Sequence, residues 1–187
     1  FWHSMGGVNG EAMDYLVNKF NEENTDGITV EAVYQGEYDD TINKLKSAQI
    51  GNMGADLVQI YDIGTRFMID SGWVIPMQEL INADGYDISQ IEPNIAAYYT
   101  VNNELYSMPF NSSTPILYYN KDMFEKAGIT EVPTSLEGIL AIGDDLKTKG
   151  GAGEPLALSI YGWYFEQWLC KQGLPYADNG NGRDAAA

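Results

Sequence analysis

The sequence is poor in the side chains on which many enzymes and metal sites depend. It contains one cysteine and one histidine among 187 residues. A single cysteine excludes an internal disulfide and a metal site built from cysteines. A catalytic triad would have to recruit His3, which stands in the first apolar segment and which we interpret as a packed residue. Cys170 falls on the apolar face of a predicted helix, a position typical of a core residue rather than a nucleophile.

Basic residues are also scarce. Lysine and arginine total 10 against 27 aspartates and glutamates, which gives a formal net charge of −17. A surface of that sign repels nucleic acid backbones and anionic lipids, so we expect neither as a partner. The chain has no apolar run of 18 residues, and the sequence therefore predicts no transmembrane helix. Its opening residues show no leader pattern, which indicates a processed or trimmed terminus.

Apolar segments alternate with helical patterns through the first third of the chain. Strand patterns at the start of the chain, over 28–34 and over 55–61 are separated by helices predicted over 11–23 and from Asp39 to Ile50. The buried face of the first helix is expected to consist of Met13, Leu16, Val17 and Phe20. This β-α-β-α-β order predicts an α/β fold with a parallel sheet covered by helices.

The remaining chain continues with both kinds of element. Further strands are predicted over 104–110, 114–119 and 156–161, and further helices over 64–71, 88–99, 121–127 and 165–171. The spacing of Thr134 and Glu137 predicts a capping box that begins one more helix. We expect the buried face of that helix to contain Leu136, Ile139, Leu140 and Leu146. The segment 178–187, rich in glycine and asparagine, predicts turns.

Motifs for bound cofactors or metals are weak. The segment Gly6–Gly10 follows the first strand, where a phosphate-binding loop would lie, but it has neither a lysine nor the dinucleotide fingerprint. We interpret it as a flexible turn. Pairs of adjacent acidic residues do not face each other on a helix and are poor acid–base partners. The sequence thus predicts no catalytic residue, no metal and no cofactor.

Three polar residues follow predicted strands, namely Tyr38, Asp62 and Ser113. In parallel α/β sheets, ligands bind beyond the carboxyl ends of the strands, and these residues therefore form a candidate ligand-binding set. Aromatic residues such as Tyr99 and Trp163 are frequent in the second half of the chain. Such rings commonly line sugar and polyol pockets, although most of them are expected to be core or interface residues.

Several segments resemble the family 1 extracellular solute-binding proteins of bacterial ABC importers, and within that family the receptors for glycerol-3-phosphate. The similarity is greatest over Pro109–Asp122 and runs in order from Phe1 to about Gly182. The other similar segments are Phe1–Met5, Asn21–Asn24, Gly36–Tyr38 and Gln59–Thr65.

The resemblance implies a two-lobed α/β receptor with the type II periplasmic-binding-protein fold, of which this chain is an N-terminal portion. Residues 1–110 are then most of the N-terminal lobe. Residues 111–187 are the crossover and the first part of an incomplete second lobe.

The implied function is that of an extracytoplasmic substrate-binding component, not an enzyme. It would bind glycerol-3-phosphate or a glycerophosphodiester in an interlobe cleft and work with ABC permease subunits, in the periplasm or anchored by lipid at the cell surface. The family's ligand-contacting tyrosine and serine match Tyr38 and Ser113, and its glutamate is replaced by Asp62. Its pocket tryptophan falls near Tyr161 or Trp163, and we assign Trp163. The alternatives are an oligosaccharide receptor of the same family and an α/β hydrolase acting on glycerophosphodiesters.

Overall fold

The computed structural model describes residues 1–51 and 53–184, which divide into two units. The first unit contains Phe1–Phe110 together with the described residues 179–184, and the second is Asn111–Asp178. Residues 179–184, which we placed in the second lobe from the sequence, therefore group with the first unit. The last three residues of the predicted turn-rich tail lie outside the described residues. The assignment of the units to two lobes stays a prediction.

Helices supply most of the regular structure. The helices of the first unit are α1 (Gly7–Glu23), α2 (Tyr38–Ile50), α3 (Thr65–Ser71), α4 (Met77–Asp84) and α5 (Pro93–Tyr98). The second unit has α6 (Lys121–Ala127), α7 (Leu136–Thr148) and α8 (Gly162–Lys171). The strands are β1 (Trp2–His3), β2 (Val33–Tyr34), β3 (Thr100–Val101) and β4 (Glu104–Leu105). In the described part of the chain, no helix is both long and apolar enough to cross a membrane.

A short parallel ladder joins the start of the chain to two later segments. Strand β1 pairs in parallel with β2, with Trp2 opposite Val33. Trp2 also forms a parallel bridge with Val58, and its amide nitrogen donates to the carbonyl oxygen of Leu57 at 2.9 Å. The predicted parallel arrangement is confirmed, with β1 between the other two segments. The paired stretches are shorter than the predicted strands.

A buried polar network lies where β1 leads toward α1. The hydroxyls of Ser4 and Thr41 are 2.7 Å apart, and Thr41 is fully buried. The Thr41 hydroxyl also donates to the carbonyl oxygen of Glu37 at 3.3 Å, and the Ser4 amide donates to the side-chain oxygen of Gln59 at 2.9 Å. These bonds connect the first turn of α2 to the end of β1, and the end of β1 to the segment that contains Val58. The buried polar groups are thereby paired, as stable burial requires.

Replacing Thr41 with valine is expected to destabilise the protein by about 1–3 kcal/mol, since the buried Ser4 hydroxyl loses its partner. Urea denaturation followed by circular dichroism measures this change. The control is Thr41→Ser, which keeps the hydroxyl and should retain most of the stability. A larger loss in Thr41→Ser, which lacks the methyl group, than in Thr41→Val, which keeps it, would show that packing of the methyl group, not the hydrogen bond, stabilises this position.

The second sheet of the first unit is a tight hairpin. Strands β3 and β4 are antiparallel and are connected by Asn102 and Asn103, both in the left-handed region with φ of 53° and 66°. Two such residues form the turn that matches the twist of paired strands.

The structure corrects two predictions for the segments beside this hairpin. The helix predicted over 88–99 is α5 and starts only at Pro93, since proline suits the first helical turn. The strand predicted over 104–110 is β4 alone, and Ser113 therefore does not follow a strand of the parallel ladder.

The second unit departs further from the predicted strands. Neither 114–119 nor 156–161 belongs to the sheets formed by the described residues. An apolar segment becomes a strand only when a neighbouring segment pairs with its backbone groups. The cap of α7 is also displaced by one residue, because the Ser135 hydroxyl, and not that of Thr134, accepts from the Gly138 amide at 3.1 Å.

Burial follows the predicted helix faces only in part. Met13 of α1 and Leu146 of α7 are buried as predicted. In contrast, Leu16 and Leu140 are exposed by 49% and 79%, and Phe20 and Leu136 are also exposed. Cys170, predicted to be a core residue, is exposed as well. An apolar stripe shows which face a neighbour can cover, and burial occurs only where an element of the fold lies against it.

Candidate ligand-binding site

Tyr38 is placed by the turn that leads from β2 into α2. Gly36 has a φ of +99°, and a Cβ at this position would lie 2.6 Å from the Asp40 carboxylate. Only glycine fits this turn without strain. The Glu37 amide then donates to Asp40 Oδ2 at 3.0 Å, which caps the helix. Tyr38 is consequently the first residue of α2, at the carboxyl edge of the parallel ladder.

Asp62 occupies the corresponding position after the segment that contains Val58. It begins a short 3-10 turn, Asp62–Gly64, and its Oδ1 accepts from the Ile63 amide at 3.0 Å. Gly64 is buried, and a Cβ there would lie 3.0 Å from the Ile42 side chain of α2. This close approach brings the turn against α2. The two ligand-binding candidates of the first unit thus follow parallel segments at one edge of the ladder.

Tyr61 connects these two positions. Its ring stacks on the ring of Tyr38, with centroids 5.5 Å apart and planes inclined by 16°. Its hydroxyl donates to Asp39 Oδ1 at 2.7 Å. The sequence analysis did not assign Tyr61 to the site, because a tyrosine at the end of an apolar run is indistinguishable from a strand residue.

Tyr99 adds a third phenol to the cluster. It is half-buried, and burial raises the pKa of its hydroxyl; the negative charge of Asp62 and the Tyr38 side chain act in the same direction. The Tyr99 hydroxyl therefore interacts electrostatically with both predicted residues. The sequence counted Tyr99 only among the frequent aromatics, because no local pattern indicates which distant side chains it interacts with.

We call the group of Tyr38, Asp39, Tyr61, Asp62 and Tyr99 the acidic tyrosine cluster. Its carboxylates are hydrogen-bond acceptors, and its phenols both donate and accept. Such a cluster suits a ligand with several hydroxyl groups and disfavours direct contact with a phosphate, which carries the same sign of charge. The next cation along the chain is engaged elsewhere, since Arg66 forms an ion pair with Asp70.

The other two candidates belong to the second unit. Ser113 is exposed in a segment without regular structure. Trp163 is half-buried near the start of α8, where its ring centroid lies 6.3 Å from that of Tyr161 and 6.1 Å from that of Tyr164. Rings grouped in this way present both apolar faces and polar edges. The ligand-binding roles of Ser113 and Trp163 stay predictions.

His3 is a packed side chain. It is buried, its ring lies 5.7 Å from Phe1 and 6.0 Å from Tyr34, and its Nδ1 accepts from the Met5 amide at 3.3 Å. Burial lowers the pKa of His3, although the nearby Asp14 opposes that change. Among residues 1–51 and 53–184, no group of histidine, cysteine, aspartate and glutamate side chains could hold a metal ion.

Solved structures show the class of fold. UgpB from Mycobacterium tuberculosis, in complex with glycerophosphocholine, is 28% identical and aligns with a TM-score of 0.72 over 78% of this chain and 37% of its own. An oligogalacturonide-binding periplasmic protein from Yersinia enterocolitica, 23% identical, aligns with a TM-score of 0.67 over 100% of this chain and 46% of its own. The chain has the α/β fold of the type II periplasmic binding proteins, of which it forms a part.

The sequence comparisons then show the family. The family model for bacterial extracellular solute-binding proteins matches residues 6–187, and the chain belongs to that family. The sn-glycerol-3-phosphate-binding periplasmic protein UgpB of Salmonella typhimurium is 38% identical to it, and that of Escherichia coli K12 is 35% identical. Both matches cover 98% of this chain, which spans 43% of the length of each relative. The predicted resemblance is confirmed, and the family is one of extracytoplasmic solute-binding proteins.

Proposed function

We propose that the protein is the substrate-binding component of an ABC importer and that it binds glycerol-3-phosphate or a glycerophosphodiester outside the cytoplasmic membrane. The observation that carries the proposal is the acidic tyrosine cluster, in which Tyr38 and Asp62 follow parallel segments at one edge of the ladder and Tyr61 stacks on Tyr38. Support also comes from the relatives, which are described as sn-glycerol-3-phosphate-binding, and from the related structure that holds glycerophosphocholine. Permease subunits in the membrane are its partners.

The chemistry of the cluster assigns an orientation to the ligand. The glycerol end, which carries hydroxyl groups, faces Asp62, and the carboxylate accepts hydrogen bonds from these hydroxyls. Tyr38 donates to a ligand oxygen. The phosphate points away from the cluster, because Asp39 and Asp62 repel it. Ser113 donates to a further ligand oxygen, and Trp163 provides an aromatic face.

A receptor of this kind performs no chemistry on its ligand. Ligand binding shifts the population toward the conformation that the permease recognises, by as much as the ligand's preference for that state. His3 is packed and hydrogen-bonded to the backbone, and it is therefore unavailable as a base for hydrolysis. This disfavours the hydrolase alternative.

A thermal-shift screen of the intact protein tests the ligand class. Glycerophosphocholine and sn-glycerol-3-phosphate are expected to raise the melting temperature, because a ligand at a hundredfold its Kd stabilises the native state by about 2.7 kcal/mol. Digalacturonate and maltose serve as the comparison, since the stacked ring pair of Tyr38 and Tyr61 would also suit a sugar. A shift with the saccharides alone would make the protein an oligosaccharide receptor and contradict the proposal.

A further inference from the structure

The Tyr38 ring and the neighbouring Asp39 carboxylate both contact the side chain of Tyr61. Tyr38 and Asp39 are consecutive residues in the first turn of α2. Tyr61 stacks on the first of them, at 5.5 Å and 16°, and its hydroxyl donates to the second at 2.7 Å. The Tyr61 side chain, which lies outside the helix, therefore contacts two neighbouring residues of the helix. A ring contact alone would let Tyr61 slide along Tyr38, and the hydrogen bond prevents that movement.

The bond to Asp39 is charge-assisted, because its acceptor is a carboxylate, and such bonds are stronger than neutral ones. It also uses the only proton of the Tyr61 hydroxyl, so that Tyr61 has no donor left for a ligand. The geometry thus suits Tyr61 for orienting a neighbour better than for binding a hydroxyl-rich molecule through donation.

Tyr61 also directly precedes Asp62 in the chain. Its backbone therefore helps to fix the carboxylate, while its side chain fixes the phenol of Tyr38. A ligand that binds both groups meets them in a set arrangement, and fewer rotamers have to be frozen on binding.

We propose that Tyr61 is a positioning residue, which orients the Tyr38 phenol relative to Asp62 and acts on the ligand only through Tyr38. This rests on the proposed function, in which Tyr38 and Asp62 contact the ligand. A tyrosine that is not itself a ligand contact then controls affinity.

A double-mutant cycle on the intact protein tests this role, with calorimetric titration of glycerophosphocholine and sn-glycerol-3-phosphate. Tyr61→Leu is expected to weaken binding by about two- to tenfold, the effect of releasing one ordered side chain. Tyr61→Phe, which keeps the ring and loses the bond to Asp39, should have a smaller effect in the same direction. In a Tyr38→Leu background, Tyr61→Leu should cause no further loss.

The controls separate the two proposals. Tyr15→Phe changes an exposed tyrosine of α1 and should leave affinity unchanged. Circular dichroism melts of each variant identify any loss of folding, in which case the milder Tyr61→Phe pair decides. Additive losses from Tyr38 and Tyr61 would show direct ligand contact by Tyr61 and overturn the positioning role. If Tyr38→Leu leaves binding unchanged, or if neither probe binds, the proposed function fails first and the positioning role with it.

Discussion

Replacing Asp62 with asparagine is expected to weaken the binding of glycerophosphocholine or sn-glycerol-3-phosphate by about ten- to a hundredfold, the usual loss when a hydrogen bond to a charged group is removed. The amide keeps the size of the side chain but loses the charge and one acceptor. Asp62 also accepts from the Ile63 amide at 3.0 Å, and the asparagine oxygen can retain that bond. The variant should therefore fold normally and differ in affinity, which calorimetric titration measures.

Two further variants make this result specific. Asp56→Asn removes the same charge from an exposed position a few residues earlier and should change affinity by less than about twofold, as screened surface charges do. Asp62→Glu restores the longer carboxylate that the family resemblance implies. This variant should bind the ligand at least as tightly as Asp62→Asn does. Unchanged affinity in Asp62→Asn would remove this residue from the site. Turnover of glycerophosphocholine that disappears in Asp62→Asn would instead favour the hydrolase alternative.

The positions of Tyr38 and Asp62 at the edge of the parallel ladder could be predicted from the sequence. Each strand pattern is a local feature of the sequence, and the rule for where parallel strands end applies to any such sheet. Strand patterns ending before Tyr38 and Asp62 needed only the rule that parallel strands carry their polar ends to one side. The start of α2 was similarly encoded, since Gly36 permits the turn and Asp40 caps the helix. The structure places Tyr38 and Asp62 after two segments that pair in parallel with β1, as that rule implies, and their binding of a ligand stays a prediction.

Tyr61 and Tyr99 were not predictable in the same way. Both join the cluster through contacts between elements that are distant in sequence, and a ring at the end of an apolar run or a helix has many equivalent partners. The sequence reports that aromatic residues are present, but the tertiary packing decides which of them meet. The stack of Tyr61 on Tyr38 depends on how closely the 3-10 turn approaches α2, which Gly64 permits.

The wrong strand predictions have a different cause. Segment 114–119 has the composition of a strand, yet strand formation requires hydrogen bonds to a neighbour and is not a property of the segment alone. Segment 28–34 shows that a strand forms only where a partner is present. Within this segment only Val33–Tyr34 is a strand, because β1 pairs with it there. Helix α6 matched its predicted range because helical hydrogen bonds are internal to the segment.

Leu45→Ala is expected to destabilise the protein by about 2–5 kcal/mol, the range for removing a buried leucine and leaving a cavity. Leu45 is 2% exposed and lies two helical turns after Tyr38 on the same face of α2, with the buried Ile42 between them. This face therefore attaches the helix to the core and also carries Tyr38, the tyrosine that we propose as a ligand contact.

The control is Leu16→Ala on α1, which is 49% exposed and should cost less than about 1 kcal/mol, since the lost apolar burial is small. Urea denaturation of both variants measures the difference. Because α2 holds Tyr38 through Leu45, a milder variant, Leu45→Val, should lower stability and ligand affinity together. Equal destabilisation by Leu45→Ala and Leu16→Ala would mean that α2 is not the anchored element of the first unit, and the acidic tyrosine cluster would then lack the rigid support that its role as a binding site requires.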